Sequence, residues 1–300
     1  MIRVILLILF VTGLVQLSGN QELQIIRAKN GKPIKFETMI KELSKKQVIF
    51  FGEFHGERPI HAMQHKVLQA LVAKEARLIV SFEMFERDTQ DYINMYLKDE
   101  MSEGDFLLNS RPWGNYESDY RPLLELAKAK KLPVIAANVP RYLAGRAVRT
   151  METFKDNLSD KEKTYMAAVV HAPEDEYYQR FAETMNELKG AGMNSGDSML
   201  KAMYYAQCLK DDTMAESIVL AMAKHPKYKV IHFNGDFHSR YNLGTVQRVK
   251  IRLPKVRTAV ISPVHTSKAE PWKWSRDDIA SGDYIIVVPQ DTKPEEEKQP

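Results

Sequence analysis

Short apolar runs that stop at a glycine or an acid recur along the chain, and segments with apolar positions at helical spacing lie between them. The first run, residues 48–51 of VIFFGEFHGE, is β-branched and aromatic and closes at Gly52. Such a run reads as a buried strand feeding a turn, so Glu53 and His55 are expected just past a strand's C-terminal end. Residues 37–46 before it and 59–74 after it read as helices, the second with Pro59 at its start. Residues 78–82 (LIVSF) form the next expected strand, ended by Glu83. A helix over 89–99, an irregular stretch over 110–119, a helix over 120–131 and a strand over 132–138 follow. Strand and helix alternate in this way when a parallel sheet is covered by helices.

The pattern changes between residues 140 and 224, where helix-like segments succeed one another without a strand. Strands are expected again at 229–233, 259–262 and 284–288. The expected architecture is therefore α/β, a mainly parallel β-sheet flanked by helices, with a smaller all-helical domain inserted. Residues 20–139 and 225–289 make the sheet domain, and 140–224 the insertion. Residues 290–300, polar, charged and Pro-containing, read as a disordered tail. The opening residues 1–19 carry one early positive charge, an apolar stretch too short for a membrane span and then small residues, the plan of a signal peptide. Export to the periplasm or the outer membrane is the expectation. Leu17-Ser18-Gly19 resembles a bacterial lipobox, with Asn20 where a lipid-bearing cysteine would stand.

Composition narrows the chemistry. The chain of 300 residues is 44% hydrophobic and carries a formal charge of +4 with its basic residues scattered among acids, so nucleic acid is not an expected partner. Cys208 is the sole cysteine, which excludes an intrachain disulfide, a cysteine-based zinc site and covalent c-type haem. No glycine-rich phosphate loop and no Gly-x-Ser-x-Gly elbow is present.

Two turns of the form Gly-acid-Phe-His, Gly52–His55 and Gly235–His238, each close an apolar run. With Glu83, Asn138, Asp236 and His265 they set polar groups along one edge of the expected sheet, where open α/β sheets bind ligands. Such a set suits a divalent metal held by His55, Glu83 and His238. It equally suits acid–base work by Glu53, His55, Glu83 and His238, or plain capping of helix N-termini. His61 and His65, four apart on one helix, lack the glutamate of the zincin motif, since Ala62 follows His61. The insertion is rich in Met and Tyr, which suits either a helical core or contacts to a macrocycle with a tyrosinate ligand.

The segments FFGEFHGERPIHAMQHKVLQAL, SFEMFERDTQ, YRPLLELAKAKKLPVIAANVPR, AQCLKDDTMAESI and GDFHSRYNLGT together resemble the ChaN-type haem-binding lipoproteins. That resemblance, over about residues 35–265, implies noncovalent haem binding through a tyrosine ligand at a homodimer interface, in haem and iron uptake. Tyr178, Tyr177 and Tyr204 are the candidate ligands it leaves, and an outer-membrane haem receptor is the partner it implies. The wider superfamily, with erythromycin esterases and the TraB and TIKI proteins, implies the alternative of a metal-dependent hydrolase using the paired turns and Glu53 with Glu83.

Overall fold

A computed structural model describes residues 15–16, 22–75, 77–151, 153–190, 196–267, 269–270 and 272–290. Of the expected leader only β1 (Val15–Gln16) is described, paired with β2 (Glu22–Arg27). The expected tail lies outside the described residues from 291 onward. A short β3 (Lys32–Pro33) also pairs with β2, and α1 (Phe36–Leu43) leads into β4 (Val48–Glu53) and α2 (Arg58–Lys74).

Next come β5 (Leu78–Glu86), α3 (Gln90–Leu97), α4 (Glu103–Ser110), α5 (Arg121–Ala129) and β6 (Val134–Asn138). Four helices then run without a strand: α6 (Arg141–Arg149), α7 (Asp160–Thr164), α8 (Glu176–Gly190) and α9 (Asp197–Lys224). The chain closes with β7 (Lys229–Gly235), α10 (Gly244–Arg252), β8 (Thr258–Ser267), α11 (Arg276–Ala280) and β9 (Tyr284–Gln290).

The strands lie in the order β1-β2-β9-β8-β4-β7-β5-β6. All pairings from β9 to β6 are parallel, and β2 joins β9 antiparallel. The α/β reading holds. Alternation along β4 explains the layers, because successive side chains of a strand face opposite sides. Ile49 and Phe51 join the core under α1, α2 and α5, whereas Val48 and Phe50 face α9 and α10. Phe50 and Phe51 are both fully buried, so truncating either to Ala costs about 3 to 5 kcal/mol.

Two expectations are corrected. Glu83 does not end its strand, because β5 runs on to Glu86 with every residue buried. An internal acid survives there since Glu83 finds a backbone donor and an imidazole, described below. The stretch 110–119, expected to be irregular, holds the end of α4 and a wide helical turn at Tyr116–Tyr120. Ser102 starts α4 by accepting the Asp105 amide, a serine N-cap.

Candidate functional site

The two Gly-acid-Phe-His turns stand side by side because β4 and β7 are parallel neighbours. Their register sets Gly52 against Asn234 and Glu53 against Gly235. Gly52 is obligatory for the approach, and Gly235 leaves the room that the His55 ring occupies. A Cβ on Gly52 would lie 2.3 Å from Asp236 Oδ1 and 2.9 Å from its Cα. One on Gly235 would lie 3.0 Å from His55 Cε1 and 3.6 Å from Glu83 Oε2. The imidazole and the second carboxylate thus meet over a missing side chain.

Glu53 is buried and fully engaged. Its Oε1 accepts from His55 Nδ1 at 2.9 Å and from the Tyr120 hydroxyl at 2.7 Å, and its Oε2 accepts from Gln64 Nε2 at 2.9 Å. His61 lies 3.6 Å from Oε2 and 3.2 Å from Asp119. Burial pushes the Glu53 carboxyl up, but the His55 bond and the charges of His61 and His55 outweigh it, so the group sits below its ordinary value. His55 keeps 42% of its side chain exposed. Burial lowers its pKa, and the Glu53 bond and charge raise it further than burial lowers it. The result is a carboxylate-oriented imidazole with Nε2 open, under the edge of Trp113 at 4.8 Å between ring centroids.

Beside it lies a second unit. Glu83 Oε2 accepts the Gly235 amide at 2.7 Å, and Oε1 sits 3.2 Å from His238 Nε2. His238 Nδ1 donates to Asp211 Oδ1 at 2.8 Å, and Asp211 Oδ2 accepts the Tyr177 hydroxyl at 2.7 Å. Burial acts against a charged His238, yet Glu83 and Asp211 hold its pKa up at about 9. Against burial, the charge and hydrogen bond of His238 hold Glu83 far below the usual carboxylate range. The four residues singled out from sequence, Glu53, His55, Glu83 and His238, do converge.

They converge on one another. Both nitrogens of His238 and both oxygens of Glu83 have protein partners, and among the described residues no group of three His, Cys, Asp or Glu side chains is disposed to hold a metal ion. The expected ligand set is therefore engaged within the protein: Glu83 and His238 belong to one hydrogen-bonded relay, and His55 is bonded to Glu53 beside it. His65 stands half-buried on α2, apart from this network. His265 pairs with Glu57 at 2.8 Å and stacks on Phe54. Asn138 accepts the Val139 amide, and Asp236, engaged by Ser262, has its pKa pushed up by burial to about 6.

Alongside the relay, α6, α8 and α9 enclose a groove of about 390 Å3, within the size of cofactor pockets. Phe181, Met185, Met203 and Val148 supply apolar walls, and Arg141 and Lys210 supply cations. Gln207 joins the two regions, since it lines the groove and lies 3.2 Å from His238 Nδ1. The three tyrosines separate here. Tyr177 is buried against Asp211 with its phenol pKa well above the ordinary value, through burial first and then the Asp211 charge. Tyr204 is buried with its hydroxyl donating to the Pro173 carbonyl. Tyr178 is half-buried, one turn before Phe181 and two before Met185 on the same face of α8, in the i, i+3, i+7 relation.

Sequence reasoning did not find Asp211, Tyr120, Gln64 or Gln207. An acidic pair, Asp211-Asp212, between the apolar residues Leu209 and Met214 of a long helix was the available signal.

An α/β sheet with helices on both faces, carrying acids and imidazoles on its C-terminal rim with a Met- and Phe-lined groove beside it, belongs to the class of open three-layer α/β folds whose ligands sit at that rim. The family model for haem-binding uptake proteins of the Tiki superfamily, ChaN, matches residues 39–249, and the chain belongs to that family. Among solved structures, ChaN of Campylobacter jejuni, described with cofacial heme binding, superposes with a TM-score of 0.67 at 17% identity, over 90% of this chain and 98% of that one. At that identity the likeness is one of fold. A mutant of the erythromycin esterase EreC in its open conformation gives a TM-score of 0.47 at 12% identity, over 89% of this chain and 83% of that one. Among curated proteins none matches.

Proposed function

We propose that this chain is an exported haem-binding protein of iron uptake that holds haem noncovalently in the groove between α6, α8 and α9. The observation that carries the reading is the groove itself, in a chain of a haem-binding family: Met and Phe side chains for a macrocycle, with Arg141 and Lys210 at hand for propionates. Charge-assisted bonds from such cations are the strong class of hydrogen bond. Tyr178 is the ligand of choice, because Tyr177 and Tyr204 have buried hydroxyls already donated within the protein. Haem bound there supplies ferric iron for a phenolate to hold. The chain's own residues orient the ring, exclude water from its faces and neutralise its carboxylates.

A groove open on one side suits a second copy as its cover, which supports a haem-bridged homodimer, and the signal-like residues 1–19 support export and delivery from an outer-membrane receptor. Titration of the purified protein with hemin should give a saturable tyrosinate-type spectrum at micromolar concentration. Tyr178→Phe should abolish its charge-transfer band while leaving the fold intact. A spectrum unchanged by Tyr178→Phe would remove that tyrosine from the iron.

A second reading is favoured by one observation, the half-exposed His55 oriented by Glu53 with Nε2 open. It supports a hydrolase in which His55 takes a proton from the attacking water as a general base. Ester turnover lost in His55→Ala and kept in Tyr178→Phe would support it. Equal turnover in wild type and His55→Ala would exclude it.

A further inference from the structure

Separate in its lining residues from the haem groove, a cavity of about 970 Å3 runs along the outer edge of β6, the last strand of the sheet among the described residues. β6 and the preceding Leu132 and Pro133 form its floor, with α3 on one side and α9 on the other. A terminal strand presents backbone donors and acceptors that natural proteins cover or blunt. Among the described residues one side chain meets the outward groups of Val134 and Ala136. Gln90 Oε1 accepts the Ala136 amide at 2.8 Å, and Gln90 Nε2 donates to the Val134 carbonyl at 2.9 Å. Its primary amide makes the two bonds that a peptide group of a neighbouring strand would make.

The charge around this edge is one-sided. Lys98, Lys131 and Lys224 line the cavity and are exposed, while Lys128 is bridged to Asp99, the one carboxylate among the lining residues. Arg87 is neutralised by Glu216. Leu220, 58% exposed, gives an apolar foothold beside the lysines. A second copy brought against this edge would bring the flanking Lys98, Lys131 and Lys224 of each copy towards one another, although none lies on β6 itself, and like charges repel at that range.

The geometry points to β6 as a docking edge for an extended acidic segment of a partner protein, which adds as a strand once the Gln90 amide swings aside. Backbone bonds to β6 give the affinity, acidic side chains meet the three lysines, and alternate apolar side chains meet Leu220 and Leu132, as in strand addition generally. Five residues of β6 at ~3.3 Å each offer roughly 17 Å of edge, enough for a segment of about that length. A free fatty anion would satisfy the lysines but leave the amide-shaped requirement at Ala136 and Val134 to Gln90.

The test uses the full chain and a fluorescent octapeptide of alternating Glu and Val, read by anisotropy. Controls carry Lys for Glu, or Pro at alternate positions so that backbone donors are lost. Expected is binding by the acidic peptide about tenfold tighter than by either control, tighter again in Gln90→Ala, and weakened in the Lys131→Glu, Lys224→Glu double variant. Equal binding of the Pro-containing peptide would overturn strand addition. Absence of binding by both wild type and Gln90→Ala would overturn the site. Self-association of Gln90→Ala without peptide would give the edge to a second copy and overturn the acidic partner.

Discussion

His238 holds its proton between two buried carboxylates, and that proton links the site to the stability of the fold. Its folded pKa of about 9 stands above its ordinary 6.5, so the folded state binds the extra proton between those values. The stabilisation is full below about pH 6.5 and is lost as pH rises through about 9. It is on the order of 3 kcal/mol. Glu83, held low, works in the other direction and loses its contribution as pH falls below the ordinary carboxylate range. Chemical denaturation of wild type should therefore show stability falling between pH 6.5 and 9, and His238→Gln should flatten that slope. An identical slope in the variant would contradict the relay.

Two glycines of the first turn give a second residue-level test. Gly52→Ala drives a Cβ into the Asp236 backbone and should cost ~3 kcal/mol. Gly56→Ala meets nothing within 4 Å and has only its φ of +75° to resist it, about 1 kcal/mol. Urea midpoints of the two variants should differ in that order. The turns themselves were legible because their spacing repeats in the sequence. Asp211 and Tyr120 were not, since they reach the site from elements distant in sequence and no local pattern ties them to a turn.

At the scale of elements, α9 carries the most. Its N-terminal half packs with Tyr177 and Phe181, and its C-terminal half, with Ala215 and Ile218, covers the sheet. A helix buried on several sides loses a clean apolar stripe, which is why its sequence marked a helix without marking its role. Asp212, fully buried on α9, accepts from His171, Arg248 and Arg252. Asp212→Ala leaves Arg248, itself 1% exposed, without its carboxylate, and should cost about 3 to 5 kcal/mol. Thermal unfolding that shifts by no more than a surface substitution would show the pair to be dispensable. The extension of β5 was hidden for a related reason. Glu83 and Glu86 look like a strand's polar end, and partners outside the local sequence, Gly235 and His238 for Glu83, Arg111 and Arg141 for Glu86, keep them buried in register.

For the whole molecule, parallel strands finishing on one rim brought together what the sequence showed as scattered acids and imidazoles. The parallel block was readable from glycine-closed apolar runs such as 48–51 and 229–233. The antiparallel β2 was not, because ELQIIR follows a leader-like segment and its partner β9 lies at the far end of the chain, although Asn30-Gly31 marks the turn into β3. Among the described residues no helix is long and apolar enough to cross a membrane. The relay and the groove share Gln207, so the groove and the acid–imidazole site form one continuous region.

The most direct measurement is a hemin titration of Gly145→Trp beside wild type. Gly145 lines the groove from α6, and an added Cβ there meets only Arg149 Nη1 at 3.5 Å, so an indole can fill the groove without disturbing the core. Binding in the groove predicts a loss of hemin affinity of about a hundredfold or more, roughly 3 kcal/mol, with unfolding unchanged. Wild-type affinity in that variant would contradict it.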